Sequence, residues 1–412
     1  MAQHHQIIII GGGTAGITVA ASLRNQDHND ALDIAIIEPS REHYYQPAFT
    51  LVGGGVNTLA QTRRDEAAVI PEGVKWIQDA AADIDPESNR VSLAKGGDVT
   101  YDFLVVCPGV VMNWSAIEGF HEAIGTSGIC CNYLPSSVEY TWETIKAFPR
   151  GGTALFAQPA MPIKCPGAPQ KIAYLTADYL RRGGILQDCA IHFLPQGPSM
   201  FSVPYFAREL EKVADNYGIS KHFQHNLTKV DAENRRATFN IVGGEREGDM
   251  VEMEFDMLHA VPPQHPPDVV RKSALANEGG WVDVNQESMQ SSKYPNVFSL
   301  GDSCSTPNSK TAAAIRKQAP VVVKNINALV NNKEVVSGYD GYGSCPLTTA
   351  YGKVMMAEFT YGGKVTPTLP LDPKEERRIN WWIKTTGLPI LYWHYMLKGY
   401  EAFPGHNTRF ES

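Results

Sequence analysis

Gln6-Ile7-Ile8-Ile9-Ile10-Gly11-Gly12-Gly13-Thr14-Ala15-Gly16 decides the fold of this chain. Four consecutive isoleucines make a strand buried on both faces. They run into a GxGxxG turn, and the turn leads into the apolar helical stretch Ile17-Thr18-Val19-Ala20-Ala21-Ser22-Leu23. Strand, glycine turn and helix in that order form a dinucleotide-binding unit. Gly11 permits the tight turn, Gly13 lets backbone N–H groups approach a pyrophosphate, and Gly16, next to Ala15, lets helix and strand pack closely. A second apolar run, Asp33-Ile34-Ala35-Ile36-Ile37, ends in Glu38, 22 positions after Gly16. That is close to the spacing of about 20 at which a carboxylate accepts from ribose hydroxyls.

The bulk properties exclude several other classes. A chain of 412 residues with 43% hydrophobic content can bury two or three cores. A net charge of -8 gives no basic footprint for nucleic acid. The seven cysteines include no CxxC pair and no zinc spacing, so neither a disulfide framework nor a metal site is expected. MAQHHQIIII lacks a basic leader region and reads as a strand, and no apolar run approaches the roughly 18 residues of a membrane span. Membrane contact is therefore expected to be peripheral or monotopic.

Two later stretches specify the nucleotide. Tyr101-Asp102-Phe103-Leu104-Val105-Val106-Cys107-Pro108-Gly109 resembles the strand that closes the first FAD segment of two-dinucleotide flavoproteins, with Cys-Pro in place of Ala-Thr. Asn296-Val297-Phe298-Ser299-Leu300-Gly301-Asp302 resembles their second FAD contact, in which the aspartate holds the ribitol. The resemblance implies an α/β protein with two Rossmann-like three-layer domains and a discontinuous FAD domain, 1–110 with 290–345. A second domain, 111–289, is inserted, and a C-terminal membrane-associating region covers 346–412. Gly11, Gly13, Ala15, Gly16, Glu38, Gly109, Gly301 and Asp302 are the expected FAD contacts, and the FAD is expected to be non-covalent.

The inserted domain restarts the pattern with a strand from Thr153 to Ala157 and a helix from Ala168 to Tyr179. Strand and helix follow again at 190–194 and 205–217, and an alternating antiparallel stretch runs from Phe223 to Val261. A nicotinamide-binding domain would place a second glycine loop after the first of these strands. Here the turn reads Gln158-Pro159-Ala160-Met161-Pro162-Ile163-Lys164-Cys165. Proline has no N–H to offer a phosphate, so the architecture is kept while the nicotinamide site is lost. Cys165 lies just before a helix, with Lys164 and Lys171 nearby, and all three features lower a thiol pKa. A small buried core residue is the competing reading. Cys345, in Gly343-Ser344-Cys345-Pro346, shares the Cys-Pro context, which biases both cysteines towards extended backbone.

KCPGAPQKIAYL, GDSCSTPNSKTAAA, GYGSCPLTTAYGKVMMAEF and EPSREHYYQPAFTLVGGG resemble sulfide:quinone oxidoreductases, particularly the type II group. The resemblance covers nearly the whole chain. It implies that Cys165 and Cys345 form the redox pair, joined at rest by a disulfide or a trisulfide. Hydrosulfide would attack Cys345 and release Cys165 as a thiolate against the flavin. Glutathione, sulfite or sulfide would remove the sulfur, and a ubiquinone or menaquinone type would take the electrons. Lys310 is placed near the flavin pyrimidine edge. The implied location is the cytoplasmic face of the inner membrane, and a homo-oligomer is compatible with it. Cys107, Cys130, Cys131, Cys189 and Cys304 read as structural, although type I members carry a third active-site cysteine in roughly the region of Cys130 and Cys131.

The C-terminal region reads as two helical runs, Arg377 to Lys384 and Leu388 to Leu397, broken at Gly387-Leu388-Pro389. Trp381, Trp382, Tyr392, Trp393 and Tyr395 are types that settle at a lipid interface. From Asp372 onward six basic residues, Arg409 included, face five acidic ones, Glu411 included. Three alternatives remain open: a type II NADH:quinone reductase, which needs the missing second glycine loop, a soluble sulfide dehydrogenase that passes electrons to a cytochrome, and a non-catalytic flavin-bound redox sensor.

Overall fold

The computed structural model describes residues 3–27 and 31–401. Strand β1 (Gln3–Ile10) lies parallel between Ile34–Ile37 and Asp98–Val106, with Ile7 opposite both Ile34 and Phe103. Ile7, Ile8 and Ile9 are fully buried, as a run without polar alternation requires. Helix α1 (Thr14–Gln26) follows directly, with every residue from Ala15 to Leu23 buried. The short strand Val297–Ser299, from far down the chain, pairs in parallel with Leu104 to Val106 and completes a seven-stranded sheet.

A second, five-stranded sheet is built around Thr153–Gln158, which pairs in parallel with Ala190–Pro195 on one side and Met257–His259 on the other. Helices Ala168–Arg182 and Pro204–Tyr217 belong to this unit. The alternating stretch forms three antiparallel strands, His225–Asp231, Arg236–Ile241 and Met250–Glu254. Its expected end at Val261 is too late. Met257, Leu258 and His259 are buried on both faces and take a central position in the parallel sheet instead.

The chain then forms the hairpin Gly343–Ala350 with Lys353–Phe359, in which Cys345 lies opposite Ala357. This hairpin packs with Ile172, Phe206 and Phe201 in the core of the second unit. The expected break at Gly387 does not occur. Arg378–Trp382 continues through the π-turn Ile383–Gly387 into Leu388–His394, and Gly387 keeps helical angles of φ -64 and ψ -47. Pro389 falls in the first turn of the last piece, where the wider π spacing relieves its missing N–H. No described helix is long and apolar enough to cross a membrane. Arg409 and Glu411 lie outside the described residues.

Candidate active site

The glycine turn fits a dinucleotide. A Cβ added to Gly16 would lie 1.9 Å from the Gly11 carbonyl oxygen, and one on Gly11 would lie 2.5 Å from that of Cys107, so turn, helix and neighbouring strand end meet without room for side chains. Around Gly13 nothing lies within 4 Å of an added Cβ. Helix α1 has no side-chain cap and no acidic residue in its first turn, which leaves its N-terminal amides and dipole for an anion. Glu38 reaches back to this turn, accepting from the Gly12 N–H at 2.8 Å and the Ser40 N–H at 2.7 Å. Gly301, at φ +73, sits against Ala15 with 3.4 Å between its virtual Cβ and the Ala15 Cβ, so two segments far apart in sequence meet at the glycine turn. Gly109 takes a left-handed φ of +75 with open space beside it. Burial raises the pKa of the Asp302 carboxyl, against the pull of Lys310 and Lys164.

The second turn does not repeat this design. The Ala160 N–H goes to Gln196 Oε1 at 2.8 Å, the Lys164 N–H to Gln264 Oε1 at 2.9 Å, and the Cys165 N–H to the Lys310 carbonyl at 2.9 Å. These amides are committed to protein acceptors, and Pro159, Pro162 and Pro166 have none to give. The turn holds a cysteine where a phosphate loop would hold a pyrophosphate.

Cys165 and Cys345 come together here as free thiols. Cys165 is half-buried, its carbonyl accepting from the Ala168 N–H at 2.9 Å and from the Tyr133 hydroxyl at 3.1 Å. Its backbone is not extended, as the Cys-Pro context suggested, but left-handed at φ +49. The turn bends sharply there to enter Ala168–Arg182, and a non-glycine residue held in that region is strained. Cys345 is extended in its strand and fully buried. Gly167 permits the approach of the two segments, since a Cβ there would meet Cys345 Sγ at 2.7 Å.

The two thiols are not equivalent. The hydrogen bond from Cys345 holds the Cys165 pKa well below the ordinary thiol range, with burial opposing and Lys171 assisting. The same hydrogen bond, with burial, pushes Cys345 well above it. Lys171, buried at 3% exposure, places Nζ 3.1 Å from Cys165 Sγ. Burial works against its charge, but the two sulfurs keep its pKa above the usual lysine value. Lys164, expected to assist, donates to Gln46 Oε1 at 2.7 Å; burial lowers its pKa, with Asp302, Cys131 and Cys165 pulling the other way, so its charge still attracts the Cys165 sulfur.

Lys384 was missed in the sequence. It is carried on the π-turn, buried, and donates to the Pro346 carbonyl at 2.8 Å and to Thr348 Oγ1 at 2.6 Å on the cysteine strand. Burial, then repulsion from Lys171, depresses its pKa well below the lysine range, against the pull of both sulfurs. A lysine in a run of apolar and aromatic residues looks like a snorkelling surface group, and only the π-turn, a recurrent feature of functional sites, marks it.

Lys310 is buried, with Nζ 2.9 Å from the Cys304 carbonyl and 4.4 Å from the centre of the Trp281 ring. Cys130 and Cys131 are fully buried, and burial pushes their thiols up to about 12 and about 11. Cys107 and Cys304 are also buried, and Cys189 is half-buried.

A glycine turn that fits a dinucleotide, a second sheet whose turn has no phosphate loop, and an asymmetric cysteine pair at that turn define a flavin-dependent disulfide-type oxidoreductase. The pyridine nucleotide-disulphide oxidoreductase family matches residues 5–132. The mitochondrial sulfide:quinone oxidoreductase of Dictyostelium discoideum is 41% identical over 98% of this chain and 88% of that protein. That of Mus musculus is 37% identical over 98% and 88%. The X-ray structure of the Aquifex aeolicus sulfide:quinone oxidoreductase superposes with a TM-score of 0.79 at 19% identity, covering 97% of this chain and 93% of that one. The chain belongs to the sulfide:quinone oxidoreductase family, a family of FAD-dependent oxidoreductases.

Proposed function

We propose that this protein oxidises sulfide through Cys165 and Cys345 and passes the electrons, by way of bound FAD, to a quinone. The observation that carries the reading is the asymmetry of the pair: a buried lysine 3.1 Å from Cys165 Sγ and a hydrogen bond from Cys345 both favour Cys165 as thiolate. In the oxidised pair hydrosulfide attacks Cys345 Sγ. The S–S bond breaks, Cys345 becomes a persulfide, and Cys165 leaves as the thiolate that Lys171 stabilises. A low-pKa leaving thiolate makes such an exchange fast. A small nucleophile, such as glutathione, sulfite or a second sulfide, then takes the terminal sulfur and leaves the Cys345 thiolate. When the two thiolates rejoin as a disulfide they give up two electrons. Bound FAD supplies the chemistry that accepts this pair and hands it to quinone.

Gly11, Gly13, Ala15, Gly16, Gly109 and Gly301 shape the FAD cradle, Glu38 takes the ribose, Asp302 the ribitol, and Lys310 the flavin edge. In this division FAD belongs to 1–110 with 290–345, the Cys165 turn to 111–289, and quinone and membrane to 346–412. Ile379, Trp382, Ile390 and Tyr395 are about half exposed along the C-terminal helices, a surface suited to monotopic seating on a membrane, on the cytoplasmic face in this proposal. The ubiquinone or menaquinone type enters from that side.

The test is anaerobic addition of sulfide or NADH to the purified yellow protein, followed by a soluble quinone analogue. The reading expects bleaching by sulfide, none by NADH, and recovery with quinone. A flavin spectrum that sulfide leaves unchanged would overturn it.

A further inference from the structure

The last helix reaches the first loop. Tyr392, 1% exposed, places its hydroxyl oxygen 2.9 Å from Thr14 Oγ1 and 2.6 Å from His43 Nε2. Thr14 is the first residue of α1, directly after the glycines. His43, 4% exposed, turns its other ring nitrogen to the Gly12 carbonyl at 3.2 Å and to Glu66 Oε2 at 3.3 Å. A carbonyl can only accept, so Nδ1 carries the ring proton. In the neutral ring Nε2 then accepts from the Tyr392 hydroxyl, whose oxygen is left to accept from Thr14. One consistent chain of donors runs from Thr14 through Tyr392 and His43 to Gly12. It grips the glycine turn on both sides of Gly13, the residue left open for a pyrophosphate.

A phenylalanine would fill the same space, and its ring would keep the contact with Tyr45, whose centroid lies 4.7 Å away. The hydroxyl therefore adds something that packing does not require. A buried polar chain with every hydrogen bond made fixes one geometry. Tyr392 also shares its short helix with Ile390, which is 48% exposed on the proposed membrane side.

We propose that Tyr392, acting through Thr14 and His43, is a positioning residue for FAD: it holds residues 12–14 in the shape that receives the pyrophosphate, so FAD retention depends on the seating of the C-terminal helix. This goes beyond the sulfide and quinone reading and does not depend on the roles of the cysteines. The test measures flavin fluorescence released from diluted holoenzyme, and the unfolding midpoint with and without excess FAD.

Tyr392→Phe is expected to release FAD about tenfold faster, the size of effect that a lost buried hydrogen bond produces. Its FAD-dependent rise in midpoint is expected to shrink. Thr14→Val should act in the same direction, and the double variant should be little worse than either single one, because both cut one chain. Tyr294→Phe, which removes a hydroxyl bonded to Glu87 at 2.8 Å elsewhere on the surface, should match wild type. Wild-type release from Tyr392→Phe would overturn the proposal. So would a fall in midpoint that is equal with and without FAD, the mark of lost packing alone. If Tyr392→Phe does not fold, wild-type release from Thr14→Val overturns it and faster release supports it.

Discussion

Replacing Lys171 by methionine isolates the electrostatic part of the cysteine chemistry. Methionine matches the lysine stem in length and suits a site that is 3% exposed, so the core is retained while the charge and its 3.1 Å bond to Cys165 Sγ are lost. A hydrogen bond to a charged partner contributes about 1.5–3 kcal/mol. At 1.36 kcal/mol per pKa unit, the Cys165 pKa should rise by about one to two units. Burial disfavours the thiolate and the Cys345 hydrogen bond still favours it, so the shift is upward but partial. The assay is the pH dependence of alkylation of the reduced protein, with Cys165 followed by peptide mass. Wild type should react down to acidic pH, and Lys171→Met should lose reactivity as pH falls through a midpoint about one to two units higher. An unchanged midpoint, or a lower one, would refute the assignment of Lys171 as a group that helps hold the thiolate.

Cys165→Ser and Cys345→Ser should each abolish sulfide-driven quinone reduction while keeping the yellow flavin spectrum. Near-normal turnover in either would sink the pair assignment. Ile379, Trp382 and Ile390 are about half exposed, so each can bury roughly 1 kcal/mol of apolar surface in lipid, and changing all three to glutamine should weaken liposome partition about a hundredfold. Unchanged partition would argue against that surface. His259 is fully buried, and burial lowers its pKa from the ordinary 6.5 to about 3. The unfolded chain takes up this proton near pH 6.5 while the folded protein resists to about 3, so stability should fall with pH across that window by several kcal/mol. His259→Gln, which can still accept from the Asn132 N–H, should flatten that slope in unfolding midpoints measured against pH. An identical slope would exclude His259 as its source.

Much of this site is legible from local sequence because local sequence builds it. The isoleucine run, the GxGxxG turn and the proline-filled second turn each impose their geometry within a few residues. Lys171 lies in the first turn of the helix that follows Cys165, six positions on, so its nearness could be read from the sequence. Lys384 and the Tyr392–His43 contact could not, since Lys384 bonds to residues 36 and 38 positions back on another element and Tyr392 to one 349 positions away. The C-terminal region was half legible. Its aromatic content points to a lipid surface, but an unbroken π-turned helix rotates Lys384 and Tyr392 inward and leaves Trp382 and Ile390 outside. Cutting the chain near Pro373 would therefore remove the buried Lys384 and Tyr392 along with the surface, and point substitutions are the cleaner probe. The left-handed Cys165 was hidden because proline biases the preceding residue only statistically, and tertiary bonds at its N–H and C=O decide otherwise.

The central claim is that sulfide sulfur is loaded on Cys345 while Cys165 is released as the electron-donating thiolate. One equivalent of sulfide added anaerobically to the oxidised protein without quinone, then alkylation and peptide mass analysis, tests it most directly. With no acceptor to take the sulfur the two thiolates cannot rejoin, so the expected result is one extra sulfur on the Cys345 peptide, an alkylated Cys165 and a flavin that stays oxidised. An extra sulfur on the Cys165 peptide, or none on either, would contradict it.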